Sequence, residues 1–243
     1  MRKPLTLTLS PQTGRGNKSK YQSPVKNIVV LISGQGRNLQ ALIEAQQAGY
    51  LNGRIAAVVS NKADAGGLAR AREAGIHIEV VPHIDYADRS VFDAALAAAI
   101  EQHHPEIVVM AGFMRVVGDA FTRQFRGRML NIHPSLLPKY PGLKTHQRAL
   151  EAGDAEHGAT VHFVTEELDG GAPVIQGRLS VEAQDTVLTL GERVMRDIEL
   201  KIYPQAVAWM ARGELKLEDE QVWFRGQRRS APLSLDDLDV EFR

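Results

Sequence analysis

The chain has 243 residues, of which 44% are apolar and 24% are charged, proportions that are typical of a folded globular protein. Its 29 Lys and Arg residues match 29 Asp and Glu residues, so the overall charge gives no reason to expect nucleic acid or an acidic membrane as a partner. The lack of cysteine excludes disulfides, thiolate metal sites and a cysteine nucleophile, and no apolar run approaches the roughly 18 residues of a membrane-spanning helix. We therefore expect a cytoplasmic protein with one large domain.

Residues 1–25 precede the first predicted strand and are basic, free of acidic residues and rich in Ser, Thr, Gly and Pro. They lack the apolar core of roughly 7 to 15 residues that a secretory signal requires, and we expect a disordered leader. A transit peptide is the alternative, although Pro and Gly disfavour the amphipathic helix that such peptides form.

From Lys26 onward, short apolar runs alternate with segments of helical periodicity. This alternation is typical of βα units and of a parallel sheet covered on both faces. The predicted strands lie near 26–32, 54–59, 77–81 and 106–111. The predicted fold class is therefore α/β, with a mostly parallel twisted sheet and helices on both faces.

The second half of the chain adds strands and a long helix. The strand RMLNIH is followed by the loop PSLLPKYPG, by a short helix with Thr145 as its predicted N-cap, and by the strands GATVHFV and PVIQGRLSV. A helix near 186–212 contains Pro204, which predicts a kink or break. The segment ELKLEDEQVWFRGQRR predicts a small C-terminal hairpin, and the last dozen residues are expected to be frayed. After the leader, we therefore expect a single domain over 26–225 and a tail over 226–243.

The turn SGQGRNLQ, residues 33–40, lies between an apolar strand and a helix. Such a turn directs free backbone N–H groups and the positive end of the helix toward an anion at the carboxyl edge of the sheet. A dinucleotide fingerprint needs a third glycine where this chain has Leu39, and the second strand is followed by SNKAD rather than ending in the acidic residue that holds a ribose. A mononucleotide-like or sugar phosphate is the favoured ligand, and a plain tight βα turn is the alternative.

Further chemical groups lie in NIHPSLLP and TEELDGG. Residues two apart in a strand share a face, so Asn131 and His133 project together. This pair suits acyl-type transfer, since an amide can hold an oxygen that becomes an oxyanion and an imidazole can move a proton. Asp169, in the loop after a later strand, is the carboxylate that an imidazole needs to fix its orientation. The alternatives are a structural Asn and His at a strand end and an ordinary DGG turn.

The other histidines do not predict a metal site. His103 and His104 end a helix, where a cationic cap is the usual explanation. His157 and His162 lack a second histidine or carboxylate at the spacing of a helical zinc motif. We therefore expect no metal ion.

Several segments together resemble the phosphoribosylglycinamide formyltransferases, folate-dependent members of the formyltransferase superfamily that act in de novo purine synthesis. The resemblance covers about residues 26–225, and Asn-x-His-Pro-Ser with a later Leu-Asp-Gly-Gly is specific to the superfamily. The segments are NIVVLISGQGRNLQALI, VVSNKADAGGLARAREAGI, VVMAGFMRVV, LNIHPSLLPKYPGLKTHQRALEAGD, HGATVHFVTEELDGGAPVIQ and IYP. The resemblance implies a Rossmann-like formyltransferase fold, 10-formyltetrahydrofolate as co-substrate, glycinamide ribonucleotide as acceptor, and no metal.

The resemblance also implies roles for individual residues. Asn131 would hold the formyl oxygen during attack by the acceptor amine, His133 would support the tetrahedral species, and Asp169 would orient His133 and assist proton transfer through water. The residues implied for the ribonucleotide are Gly36, Arg37, Asn38 and Glu199, and those for the folate are Arg89, Met114, Arg115, Val116, Val117 and Asn131. Position 37 departs from the Ser or Thr that is usual in the family, and position 35 is Gln where Asn is common.

Two sister activities use the same three catalytic residues, namely formyl transfer to methionyl-tRNA and hydrolysis of the formyl folate. The tRNA enzyme carries an added C-terminal domain and the hydrolase an added N-terminal domain. We expect neither domain here, because 25 residues precede the first predicted strand and 18 follow residue 225. A non-catalytic nucleotide-binding module of the same fold is a further alternative, which the presence of all three catalytic residues disfavours.

Overall fold

A seven-stranded sheet in the order β3-β2-β1-β4-β5-β6-β7 forms the centre of the computed structural model, which describes residues 25–243. The predicted leader lies outside the described residues, apart from Val25. Strands β1 to β5 are parallel, and β6 pairs antiparallel with both β5 and β7, which confirms a mostly parallel sheet. The strands are β1 (Lys26–Ile32), β2 (Gly53–Ser60), β3 (His77–Val80), β4 (Ile107–Met110), β5 (Met129–His133), β6 (Glu156–Phe163) and β7 (Pro173–Ser180).

Helices cover both faces of this sheet, as predicted. Alternate residues of β1 point to opposite faces, so Ile28 and Val30 join one buried core while Val29 and Leu31 join another. The first core includes α1 and α7, and the second includes α3 and α4. The helices are α1 (Arg37–Gln47), α2 (Gly67–Glu73), α3 (Arg89–Glu101), α4 (Asp119–Gln124), α5 (Thr145–Glu151), α6 (Val187–Val194) and α7 (Leu200–Ala211). Within residues 25–243, no helix has the length and apolar character needed to cross a membrane.

Two predicted helix features differ in detail. The interruption expected at Pro204 occurs upstream of it, as a π-helical turn over Met195–Glu199 that joins α6 to α7. Such turns insert one residue into a helix and are frequent at functional sites. Thr145 is the first residue of α5 and not its N-cap, a position that Lys144 occupies in a left-handed backbone conformation with no side-chain cap.

The C-terminal segment contains a small antiparallel sheet of β8 (Leu215–Glu218), β9 (Gln221–Phe224) and β10 (Gln227–Arg228), which confirms the predicted hairpin. The expectation that the last dozen residues are frayed is wrong. Leu233, Leu238 and Phe242 are buried, because the segment returns to cover the edge of the sheet and the end of α1. The Phe242 ring packs edge-on against Tyr50 at 6.2 Å between centroids.

A half-buried histidine of α5 contacts a buried histidine of β6. His146 Nδ1 lies 3.0 Å from His157 Nε2, and their rings pack edge to face. Burial, with a smaller contribution from the neighbouring His146, lowers the pKa of His157 to about 4. The folded protein therefore holds His157 neutral at physiological pH.

We expect Phe242→Ala to lower the free energy of unfolding by about 2 kcal/mol, less than for a central core Phe because the chain terminus can relax into the space. Urea unfolding monitored by circular dichroism measures this change. The control is Val240→Ala, since Val240 is 77% exposed and its truncation should cost less than about 0.5 kcal/mol. Equal stabilities of the two variants would mean that the tail does not pack in solution.

The lowered pKa of His157 predicts a pH-dependent stability. In the unfolded chain this histidine takes up a proton below about pH 6.5, whereas in the folded chain it does so only near pH 4. Unfolding therefore becomes easier as the pH falls from 6.5 toward 4. Protonation of His157 in the unfolded chain should lower the free energy of unfolding by about 1 to 2 kcal/mol between pH 7 and pH 5. The decrease should be smaller in His157→Gln and unchanged in a control, His104→Asn, because His104 is exposed.

Candidate active site

Asn131 and His133 lie at the carboxyl end of β5 and, two residues apart, share a face of that strand as predicted. The strand order reverses one strand away, between β1 and β4, since β1 is flanked by β2 on its other side and β4 is followed by β5. Ligands of open α/β sheets bind in the crevice outside such a switch point. The antiparallel partner of β5 places His162 directly opposite Asn131.

His133 is buried and contacts an oxygen through each ring nitrogen. Its Nδ1 lies 3.3 Å from Asp169 Oδ2, and its Nε2–H donates to the carbonyl oxygen of Tyr140 at 2.8 Å. Asp169 Oδ2 also accepts a hydrogen bond of 2.9 Å from the N–H of Gly142. The Nε2–H bond to Tyr140 leaves Nδ1 facing the carboxylate, so Asp169 is placed to orient the imidazole. The structure thus brings together the His and Asp that the sequence placed 36 positions apart.

Asp169 reaches this position through an unusual backbone. Its φ is +53°, in the left-handed region that Asp tolerates better than most residues, and glycines follow at positions 170 and 171. A Cβ on Gly171 would collide with the carbonyl of Phe163, so the loop can return to the sheet only with glycine there. The DGG sequence therefore forms a turn, and this turn directs the Asp169 carboxylate to His133.

His162 is a site residue that the sequence interpretation missed. Its Nδ1–H donates to the carbonyl oxygen of Phe163 at 2.9 Å, and its Nε2 faces Asn131 Nδ2 at 3.3 Å and Asp169 Oδ1 at 3.7 Å. Burial lowers the pKa of His162. The imidazole is therefore neutral and accepts a hydrogen bond from the Asn131 amide. The alternation in HGATVHFV predicts its strand, but only the pairing register with β5 places it beside Asn131.

The glycine-rich turn leads directly into α1. Gly36 has a φ of +73°, and a Cβ there would lie 2.6 Å from the Cα of Gly67, so close approach of two backbones requires glycine. The first helical hydrogen bond runs from the N–H of Gln40 to the oxygen of Gly36 at 2.9 Å. The N–H groups of residues 37 to 39 consequently lack helical acceptors and suit an anion.

Side chains beside this turn connect α1 to the π-helical turn and α6. The Arg37 guanidinium pairs with the carboxylate of Glu192 at 2.7 Å. Asn38 Nδ2–H donates to Glu199 Oε2 at 2.8 Å, and both side chains are buried. Burial raises the pKa of Glu199. Among the described residues Asn38 Oδ1 has no hydrogen-bond partner, so it presents a free acceptor next to the turn.

The residues predicted for the folate lie on the loop after β4 and at the start of α3. The backbone of this loop is fixed, since the N–H of Met114 donates to Ser33 Oγ at 2.8 Å and the N–H of Gly118 donates to Asp93 Oδ2 at 2.7 Å. The Met114 side chain is 69% exposed and that of Val116 54% exposed. A fixed loop that presents apolar side chains to solvent is suited to binding a planar apolar group.

Two arginines flank that loop. Arg115 lies over the ring of Phe92 at 5.4 Å, and Arg89 is the exposed first residue of α3. Both attract Asp93, whose pKa is nevertheless raised because burial outweighs the two cations and the hydrogen bond. Val117 is half-buried and packs against the core beneath the loop. The pairing of Met110 with Asn131 places the loop next to the end of β5.

Tyr203, from the IYP segment, is a second residue whose role the sequence did not specify. Its hydroxyl lies 2.8 Å from the carbonyl oxygen of Met110 and 3.1 Å from that of Leu130. Burial holds the pKa of Tyr203 well above its ordinary value, so the hydroxyl stays protonated and can donate. This contact holds the ends of β4 and β5 at a fixed spacing directly before Asn131.

Comparison with known proteins identifies the family. The sequence model of the formyl transferase family matches residues 26–207. The chain is 50% identical to the phosphoribosylglycinamide formyltransferase of Escherichia coli strain K12 over 202 residues, 83% of this chain and 95% of that protein. The solved structure of the Coxiella burnetii phosphoribosylglycinamide formyltransferase superimposes with a TM-score of 0.82 at 48% identity, covering 86% of this chain and 99% of that one.

A second solved structure, glycinamide ribonucleotide transformylase 1 from Symbiobacterium toebii, has a TM-score of 0.79 at 42% identity and covers 82% of this chain and 94% of its own. Sequence similarity and fold similarity thus extend over nearly the whole length of these relatives. The chain therefore belongs to the formyl transferase family and, within it, to the phosphoribosylglycinamide formyltransferases.

Proposed function

We propose that this enzyme transfers the formyl group of 10-formyltetrahydrofolate to the amine of glycinamide ribonucleotide in de novo purine synthesis. The observation that carries the assignment is the buried His133–Asp169 pair beside Asn131, in a chain that is 50% identical to a named phosphoribosylglycinamide formyltransferase. Its substrates are small molecules, and a net charge of zero favours neither nucleic acid nor membrane as partner. We place the reaction in the cytoplasm.

In the proposed reaction the acceptor amine attacks the formyl carbon and forms a new C–N bond, while the formyl oxygen takes up negative charge. Asn131 has one amide N–H directed to His162 and a second available for that oxygen. A donor already held in place stabilises the developing oxyanion without reorganisation. His162 acts here by fixing the orientation of Asn131.

His133 and Asp169 bind and transfer the proton. The contact between His133 Nδ1 and Asp169 is long at 3.3 Å, so the proton can be shared with an oxygen that arrives at the site. Asp169 stabilises the charged imidazole and, through a water molecule, accepts the proton that the attacking amine loses. Collapse of the tetrahedral species breaks the bond to N10 of the folate, and N10 gains a proton. Each step of this proposal uses groups of the chain and one water molecule, without a metal ion.

The two substrates bind on either side of this centre. The phosphate of the ribonucleotide lies at the start of α1, on the free N–H groups at Gly36, Arg37 and Asn38. Asn38 Oδ1 and the carboxylate of Glu199 supply buried acceptors for N–H or O–H groups of the same substrate. The pterin lies against the loop of Met114, Arg115, Val116 and Val117, and the cation of Arg89 suits the folate carboxylates.

An absorbance assay of folate product, run with and without glycinamide ribonucleotide, tests the proposal. Formation of tetrahydrofolate should require the acceptor. A rate that persists unchanged without it would assign hydrolysis of the formyl folate, the alternative that uses the same three residues. Binding of both substrates without turnover would indicate a non-catalytic module.

We expect Asp169→Asn to lower kcat by roughly 10² or more, the scale of lost acid–base assistance, with both KM values within a few-fold of the parent. The asparagine retains an oxygen for the N–H of Gly142 but loses the charge opposite His133. Combined with His133→Ala, the loss should be much smaller than the product of the single losses, since the two residues act as a unit. Glu167→Gln, exposed in the same loop, is the control and should keep kcat. Multiplicative losses, or a raised KM at full kcat, would contradict the assigned role.

We expect Arg37→Ser to raise the ribonucleotide KM by less than roughly tenfold, because the backbone N–H groups carry most of the phosphate binding and an exposed guanidinium adds about 1 kcal/mol. The folate KM should stay constant. The matched variant is Glu192→Gln, which removes the present partner of Arg37 and should leave the ribonucleotide KM equal or slightly lower. A changed folate KM in either variant would refute the placement of the phosphate on this turn.

A further inference from the structure

We propose that His77, Glu79 and His103 form a binding site for a divalent first-row transition-metal ion, with zinc as the best-suited ion. The ligand atoms of these three residues all lie within 4.8 Å of one another. His77 and Glu79 belong to β3, and His103 follows the end of α3. The site is separate from the catalytic centre, because it lies at the amino edge of the sheet, whereas Asn131 and His133 end a strand at the carboxyl edge.

The backbone brings the three side chains to one face. Residues two apart in a strand point to the same side, so His77 and Glu79 both face α3. His103 Nε2 lies 3.3 Å from Glu79 Oε2, and the rings of His77 and His103 are 5.0 Å apart at an angle of 47°. Two tilted imidazoles and a carboxylate thus surround a common position and leave one side of it open.

The backbone segments that carry these three ligands are held by hydrogen bonds. His77 and Glu79 are paired in the sheet with Ala57 and Val59 of β2. The backbone of His103 is also held in place. Its carbonyl oxygen accepts a hydrogen bond from Asn27 Nδ2 at 3.3 Å, and the N–H of His103 donates to the carbonyl oxygen of Ile100. Only side-chain rotation is therefore needed to close the site around an ion. A tetrahedral ion with bonds of about 2.1 Å holds its ligand atoms about 3.4 Å apart, close to the present distance between His103 and Glu79.

The ligand set selects the class of ion. Two imidazole nitrogens and one carboxylate oxygen suit zinc and neighbouring transition ions, whereas magnesium and calcium prefer oxygen ligands alone. The site is also open to solvent, since His77 is exposed and the Glu79 side chain is 29% exposed. Water can therefore fill the fourth position, as in other sites with three protein ligands. A bound ion would clamp the short edge strand β3 to the end of α3.

Titration of the metal-free full-length protein with zinc against a chromophoric chelator tests the site, and cobalt supplies a visible spectrum that reports tetrahedral coordination. We expect one equivalent to bind at micromolar concentration, and saturation to raise Tm by about 5 °C or more. His77→Asn and Glu79→Gln should each weaken this binding by about tenfold or more. His77→Asn should also keep the formyl transfer rate in the absence of metal, which establishes that the variant is folded.

The control is His104→Asn, because the neighbouring exposed His104 lies outside the cluster and should not affect binding. The proposal is overturned if the parent binds no zinc in the micromolar range. It is also overturned if His77→Asn and Glu79→Gln bind like the parent, which would place the ion on the buried histidines of the catalytic centre or of the α5–β6 pair.

Discussion

The antiparallel pairing of β6 with β5 is the constraint on which the catalytic centre depends. Beyond His162, the N–H of Val164 bonds to Met129 and extends this ladder, while the N–H of Phe163 bonds to Ala172 directly before β7. These bonds fix both ends of the following loop, so its glycine turn can return one carboxylate over the end of β5. A one-residue change of register would turn His162 to the opposite face of the sheet and separate it from Asn131 and His133 of β5.

The electrostatics of the centre follow from this packing. One carboxylate, Asp169, faces two imidazoles, at 3.3 Å for His133 and 3.7 Å for His162. A single negative charge in a buried site stabilises one cation well and two poorly. His162 donates Nδ1–H to a carbonyl and is kept neutral by burial, so the carboxylate interacts mainly with the nearer His133. The neutral imidazole is thereby free to hold the amide of Asn131.

The two proposed substrate sites are connected by hydrogen bonds of Ser33, directly after β1. Its hydroxyl donates to Asn61 Oδ1 at 2.6 Å and accepts from the N–H of Met114 at 2.8 Å, while its own N–H donates to Gly112. The glycine-rich turn that begins after Ser33 and the exposed loop after β4 therefore share one buried hydrogen-bonding group. Since buried polar networks fix geometry strongly, the spacing between the two proposed substrate sites is set by the scaffold.

The sequence by itself determined those features that depend on local geometry. Strand periodicity placed Asn131 and His133 on one face, because residues two apart in a strand point the same way. Glycine spacing likewise located the turn that leads into α1, because only glycine tolerates the close backbone approach there. Tertiary structure alone decided the features that join distant segments. The register of β6 selected His162, and the packing of α3 on an edge strand brought His103 to the residues of β3. Packing against Tyr50 and α7 buried Phe242 in a tail whose local pattern predicts fraying. Contacts between elements far apart in the chain leave no periodic signal, since they depend on which surfaces remain to be covered once the sheet has formed.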